Sequence, residues 1–281
     1  MNPADGGTGR LADRVLAAMN AGRPLPLPDV VDAHAHLGPY SLFHIPHPDH
    51  DTMVAVMDRV GIAAATISAN RGIQLEATRG NAMVLAAAAA HPGRLLPVGV
   101  VNPWQSPERT ASAIAEGPYV GLKVHPQLAQ YPVDGPRYAA AFEVAAATGR
   151  PLLTHCWEGS DYHSPERVAA AAQAHPQATI ILGHGGGSPT GVDQAIAVAR
   201  QHPNLLLEIC GSKMTSAVLR TMVTELGADR VLFGSDFPFI DLRISLGRVV
   251  LADLDDDDLV AVLGGNARRV FGSGDATGPR A

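Results

Sequence analysis

The feature that most constrains this chain is a repeat: short apolar runs, each followed by an alanine-rich stretch carrying helix signals. Eight runs rich in Val, Ile and Leu occur at 30–36, 63–69, 95–102, 119–125, 151–157, 178–184, 204–210 and 230–236. Between them lie segments such as GPRYAAAFEVAAATG, SPERVAAAAQAHP and VDQAIAVARQHP. Several open on Ser-Pro or Asp and close on Gly or Pro, as helix starts and stops do. Runs apolar on both faces and separated by helices predict parallel strands. Eight such units in about 250 residues predict a closed (β/α)8 barrel, a single α/β domain of the TIM type. An open doubly wound sheet competes, but the glycine-rich dinucleotide turn is missing after the first strand. The barrel is expected over 29–272, with a flexible extension and linker over 1–28 and a disordered tail over 273–281. Within the extension, LADRVLAAMNAG reads as a short helix and RPLPLPD as a stiff linker.

Composition narrows the partners. With 46% hydrophobic residues the chain can bury a sizeable core, and a formal net charge of -6 gives no basic footprint for nucleic acid or an anionic membrane. Two cysteines, Cys156 and Cys210, cannot build a disulfide framework and suit a reducing compartment. The start MNPADGGTGR lacks the layout of a signal peptide, and no apolar run approaches about 18 residues. The expectation is a soluble cytoplasmic protein acting on a small molecule.

The twelve histidines sort by position. His91, His175 and His202 each precede a proline at a helix end, where the helix dipole and chain stop account for them. His44, His47 and His50 lie in the proline-broken loop FHIPHPDH and read as solvated, and His163 reads as a loop residue. His34, His36, His125, His155 and His184 are different. All fall near the C-terminal ends of strands, the edge where barrel active sites form. Side-chain alternation puts His34 and His36 on one face of the first strand. One βα unit of about 30 residues brings Lys123, His155, His184 and Asp236 to the same rim. Imidazoles with a carboxylate suit zinc or a related transition ion, so His34 and His36 are expected to hold a metal. Cys156 should point away, into the layer between strands and helices. The acidic run DLDDDDLVAVLGG reads as a helix start, GHGGGSP lacks the Lys-Ser/Thr of a phosphate loop, and GGNARRVFG should cap and pack the last helix.

Five phrases in order, DAHAH, GLKVHP, GHGGG, GSDFP and GGNARRVFG, give a resemblance to the amidohydrolase superfamily. Their wording is similar to its amidohydrolase-related branch, which includes aminocarboxymuconate-semialdehyde decarboxylase. That resemblance implies a distorted (β/α)8 TIM-type barrel with a divalent metal at the strand ends, held by His34, His36, His155 and Asp236, with His184 as acid/base or polariser. In binuclear members of the superfamily a strand-four lysine is carboxylated and bridges two metals, so Lys123 admits a second ion. The branch instead implies one metal, which is the expectation adopted here. An uncarboxylated Lys123 would then pair with a substrate carboxylate or oxyanion, with His125 beside it.

The parts imply metal-activated water attacking an ester, lactone or amide of a small substrate. The alternative is non-oxidative decarboxylation of an aromatic or diene carboxylate, for which Arg71 in SANRG is the candidate cation. A second alternative is an inactive metal- or ligand-binding barrel. Short connections after most strands favour the hydrolase. Trp104, Trp157, Tyr40 and Phe43 lie just beyond strand ends, where they either line a pocket for a ring-bearing substrate or pack ordinarily. Homodimers, common in the branch, are expected.

Overall fold

The computed structural model describes residues 10–27 and 29–272. Helix α1 (Leu11–Asn20) precedes β1 (Val31–Leu37), α2 (His50–Val60), β2 (Ala64–Ala69), α3 (Asn70–Gln74), α4 (Ala77–Ala90), β3 (Leu95–Val100), α5 (Pro107–Glu116) and β4 (Gly121–Val124). There follow α6 (Pro126–Ala129), α7 (Ala139–Thr148), β5 (Leu152–Trp157), α8 (Pro165–Ala174), β6 (Ile180–Gly186), α9 (Pro189–Gln201) and β7 (Leu205–Glu208). The chain ends with α10 (Ser216–Leu226), β8 (Val231–Leu232), α11 (Leu242–Val250), α12 (Asp256–Val260) and α13 (Asn266–Phe271). Neighbouring strands are parallel and lie in chain order from β1 to β8. This is the expected (β/α)8 barrel.

The ring closes at a seam between the segment after β8 and β1. Ala33 N–H donates to the Phe233 carbonyl at 2.9 Å, Asp236 N–H to that of His34 at 2.8 Å, and His36 N–H to that of Phe237 at 2.7 Å. β8 ends at Leu232 rather than at Asp236, and beyond it the chain pairs with β1 through these bonds and an isolated bridge between Ala35 and Phe237. The buried Asp32 fastens the seam from within. One oxygen accepts the His34 and Ser235 backbone N–H groups, each at 3.0 Å, and the other accepts the Ser235 hydroxyl. Desolvation pushes the Asp32 carboxyl up to about 7 against those bonds.

Two apolar layers hold the fold. The larger lies between strands and helices and contains Cys156 and the α1 residues Leu11, Ala12 and Val15. Helix α1 lies in the segment read as a flexible extension; residues 1–9, 28 and the expected tail fall outside the described residues. The smaller layer fills the barrel with Val31, Ala64, Leu96, Val98, Leu153, Ile181, Leu206 and Leu232. Val270 and Phe271 of α13 join it, so GGNARRVFG does pack the last helix. Phe271 lies against Gly121, the first residue of β4, and so closes the N-terminal end and leaves the other for a site. Within SANRG, Ser68 and Ala69 end β2, and Asn70, Arg71 and Gly72 open α3. Gly72 and Gly80 make this fit, because a Cβ at Gly80 would overlap the backbone of Gly72.

Phe271→Ala should lower stability by about 3–5 kcal/mol, the usual cost of emptying a buried aromatic site. Urea unfolding followed by circular dichroism measures it; a loss below about 1 kcal/mol would show that α13 does not seal the barrel.

Candidate metal centre

Three donor atoms meet at the C-terminal mouth. His34 Nε2 and His36 Nε2 are 3.1 Å apart, and Asp236 Oδ1 lies 3.1 Å from the second and 3.7 Å from the first. Alternation along β1 supplies the two imidazoles, and the seam hydrogen bond from Asp236 N–H to the His34 carbonyl brings in the carboxylate. Asp236 and His184 both have left-handed backbones, with φ of 61° and 65°. For residues other than glycine this costs ~1–3 kcal/mol each, and strain of this kind gathers at functional sites.

The His34 ring is locked from behind. Glu208, fully buried, places Oε2 2.8 Å from His34 Nδ1, so Nδ1 carries the proton and Nε2 offers its lone pair to the mouth. The same carboxylate accepts the Cys210 backbone N–H at 2.6 Å and that of His184 at 3.3 Å. Gly234 makes the space: a Cβ there would overlap the Glu208 carboxylate and come 2.9 Å from His34 Cβ. Cys210 Sγ is 3.2 Å from both His34 Nδ1 and His184 Nδ1. Burial pushes the Cys210 thiol well above its usual range, so it stays protonated. With His34 Nδ1 already a donor, the S–H points to His184 Nδ1, which leaves His184 Nε2–H to face the cavity.

His155 is set by a second chain. Its Nδ1 lies 3.4 Å from His163 Nδ1, and His163 Nε2 lies 2.9 Å from Gln127 Oε1. Donation to Gln127 makes His163 Nδ1 an acceptor; His155 Nδ1 then donates, and its Nε2 lone pair is free. His163, read as a loop residue, is therefore buried and wired to the site.

Burial sets the electrostatics. It holds the His34, His125 and His155 imidazoles well below their usual value and His184 at about 4, so all four are neutral at neutral pH. It lowers Lys123 to about 8. Asp236 runs the other way: burial opposes its charge, but the hydrogen bond with His36 helps hold the carboxyl well below its usual range and keep it ionised.

The donor set fits a transition ion. An ion with bonds of ~2.0–2.1 Å in tetrahedral geometry holds its ligands ~3.3 Å apart, close to the spacings of His34, His36 and Asp236. Neutral imidazoles and an ionised carboxylate are the protonation states such an ion requires. A wider grouping of His34, His184, Cys210 and Asp236 has ligand atoms within 4.8 Å of one another. In it Cys210 approaches the Nδ1 atoms, not the His34 Nε2 that faces His36.

A cavity of about 350 Å³ opens above these atoms, lined by all five strand-end histidines, Lys123, Trp157, Asp236, Tyr40, Phe43 and Phe239. Phe239 stacks on His36, and Tyr40 and Phe43 pack against Phe239, forming one wall. Lys123 lies on the floor, fully buried, with Nζ 2.9 Å from His34 Nε2. His125 stacks on His155 and caps α6. Two expected residues are elsewhere. Arg71 sits on α3, 3.8 Å from Glu76, and does not line the cavity, because α3 turns it away from the strand end. Trp104 is exposed, donating to the Ala129 carbonyl beneath the Arg137 guanidinium.

The sequence reading missed Asp32, Glu208, Cys210, His163 and Gln127. Glu208 left a trace, a lone carboxylate inside the run NLLLEIC, and Asp32 opens the DAHAH phrase; the others left none, since their roles depend on contacts between residues distant in sequence.

The amidohydrolase family profile matches residues 31–273. The chain belongs to the amidohydrolase family. Members are generally metal-dependent, in keeping with the donor cluster. Solved structures share the fold. 5-Carboxyvanillate decarboxylase from Sphingomonas paucimobilis is 21% identical with a TM-score of 0.64, covering 78% of this chain and 82% of that one. 2,6-Dihydroxybenzoate decarboxylase from Rhizobium is 19% identical with a TM-score of 0.68, covering 87% and 99%. A probable 2-pyrone-4,6-dicarboxylic acid hydrolase from Acinetobacter baumannii is 14% identical with a TM-score of 0.65, covering 87% and 99%. No curated protein matches. No described helix is long and apolar enough to cross a membrane.

Glu208→Gln should weaken zinc affinity about 10–100-fold, because the amide would set a donor against N–H groups and release the His34 ring. Competition with a chromophoric chelator measures it; unchanged affinity in a folded variant would remove Glu208 from the site.

Proposed function

We propose that the chain is a metal-dependent hydrolase that cleaves an ester, lactone or amide of a small ring-bearing substrate. The observation carrying this reading is the convergence of His34 Nε2, His36 Nε2 and Asp236 Oδ1 beside a neutral His184. A single divalent ion, zinc before manganese, is the proposed cofactor, held by His34, His36, His155 and Asp236, and it would supply Lewis acidity and a water of lowered pKa.

The chain's own groups do the rest. Asp236, held ionised, accepts a proton at its carboxylate and returns it to the leaving group. His184 donates from Nε2–H to the carbonyl oxygen as negative charge grows there. Lys123 adds a positive charge at the cavity floor. Tyr40, Phe43, Trp157 and Phe239 give the substrate ring apolar walls and keep bulk water out. Both cysteines are buried free thiols, which agrees with work in the cytoplasm.

Decarboxylation is the second reading. It is favoured by Lys123 as a partner for a carboxylate and by two similar structures that are named as decarboxylases. Against it, no arginine lines the cavity among the described residues.

A panel of esters, lactones, amides and aromatic carboxylates, run in 18O-labelled water, separates the reactions. Hydrolysis places label in the product; carbon dioxide released from an aromatic carboxylate, with no label in the aromatic product, would overturn it. On the substrate so found, Asp236→Asn should lower kcat/KM by about 10²–10⁴-fold. Full activity would refute the proton-transfer role, and zinc binding without turnover anywhere in the panel would favour a binding protein.

A further inference from the structure

A second group of donors lies away from the cavity. His50 is the first residue of α2, Asp51 the next, and His91 follows the last residue of α4. His50 Nδ1 is 3.1 Å from Asp51 Oδ1, His91 Nε2 is 2.7 Å from the same oxygen, and the two nitrogens are 3.2 Å apart. The sequence reading took His50 as solvated and His91 as a helix end.

We propose that His50, Asp51 and His91 form a second metal site, one that takes a borderline transition cation such as Zn²⁺. Three atoms this close to one another admit a point ~2.0–2.1 Å from each, the bond length of zinc to imidazole nitrogen and carboxylate oxygen. Two imidazoles and one carboxylate are a donor set that such ions accept, with the remaining positions left to water. Hydrogen bonding accounts for the triangle less well. If both rings donate to Asp51 Oδ1, two N–H groups face each other across 3.2 Å. A cation among the three removes that conflict.

The donors are reachable from solvent: the Asp51 side chain is 76% exposed, His50 35% and His91 23%. Open ligands of this kind bind more weakly than the buried set at the mouth. The ion would clip the start of α2 to the end of α4, and α2 directly follows the loop bearing Tyr40 and Phe43. Two zinc ions per chain would then mean two separate single-ion sites, not a bridged pair at Lys123. The inference stands apart from the reaction proposed above.

Equilibrium dialysis of the full chain against Zn²⁺, followed by elemental analysis, tests it. The wild type should bind one zinc tightly and one weakly. His91→Ala and Asp51→Asn should lose the weak ion and keep the tight one, while His36→Ala does the reverse. Asp51 is exposed, so Asp51→Asn carries the test if His91→Ala fails to fold. One zinc in the wild type, or a weak ion surviving both substitutions, would overturn the proposal. Loss of that ion in Lys123→Ala alone would overturn it too, in favour of a bridged pair.

Discussion

The site depends on barrel closure. Residues 34 and 236 meet because Asp236 N–H bonds to the His34 carbonyl, and the bonds from Ala33 and His36 fix the register on either side. A slip of one residue there would turn both β1 histidines toward the helices. Asp32 and Ser235 hold the register from within. The motif residues on either side of the metal donors thus keep the seam while the donors face the mouth.

Around that seam the protein excludes water and so controls protonation. Desolvation keeps the rings of His34, His125, His155 and His184 neutral, while Asp236 keeps its charge through its contacts with histidines. Three of these rings also have a partner that decides which nitrogen faces the cavity: Glu208 for His34, Cys210 for His184, and His163 with Gln127 for His155. Lone pairs of His34 and His155 then face the place proposed for a cation, and a His184 N–H faces the cavity where the proposed hydrolysis would build negative charge. Orientation before the ion or substrate arrives avoids reorganisation later.

The barrel and its rim were legible because both follow from period. Apolar runs buried on both faces gave the strands, and the repeat length carried His34, His155, His184 and Asp236 to one edge. What failed was local or lateral. Arg71 was the candidate cation because it follows the second strand, yet contact between Gly72 and Gly80 seats a short helix there that carries it away from the cavity. His163 looked solvated because its nearest neighbours in sequence are polar, while its actual partners lie at 127 and 155. Cys210 ended an apolar run and carried no sign that its sulfur would sit between two rings.

The central claim is that His34, His36 and Asp236 share one ion. Anomalous diffraction at the zinc edge from crystals grown with zinc tests it most directly. The account predicts a peak at the barrel mouth within ~2.0–2.2 Å of His34 Nε2, His36 Nε2 and a carboxylate oxygen of Asp236. A mouth without a peak, or one bound through His184 and Cys210 with His36 free, would contradict it.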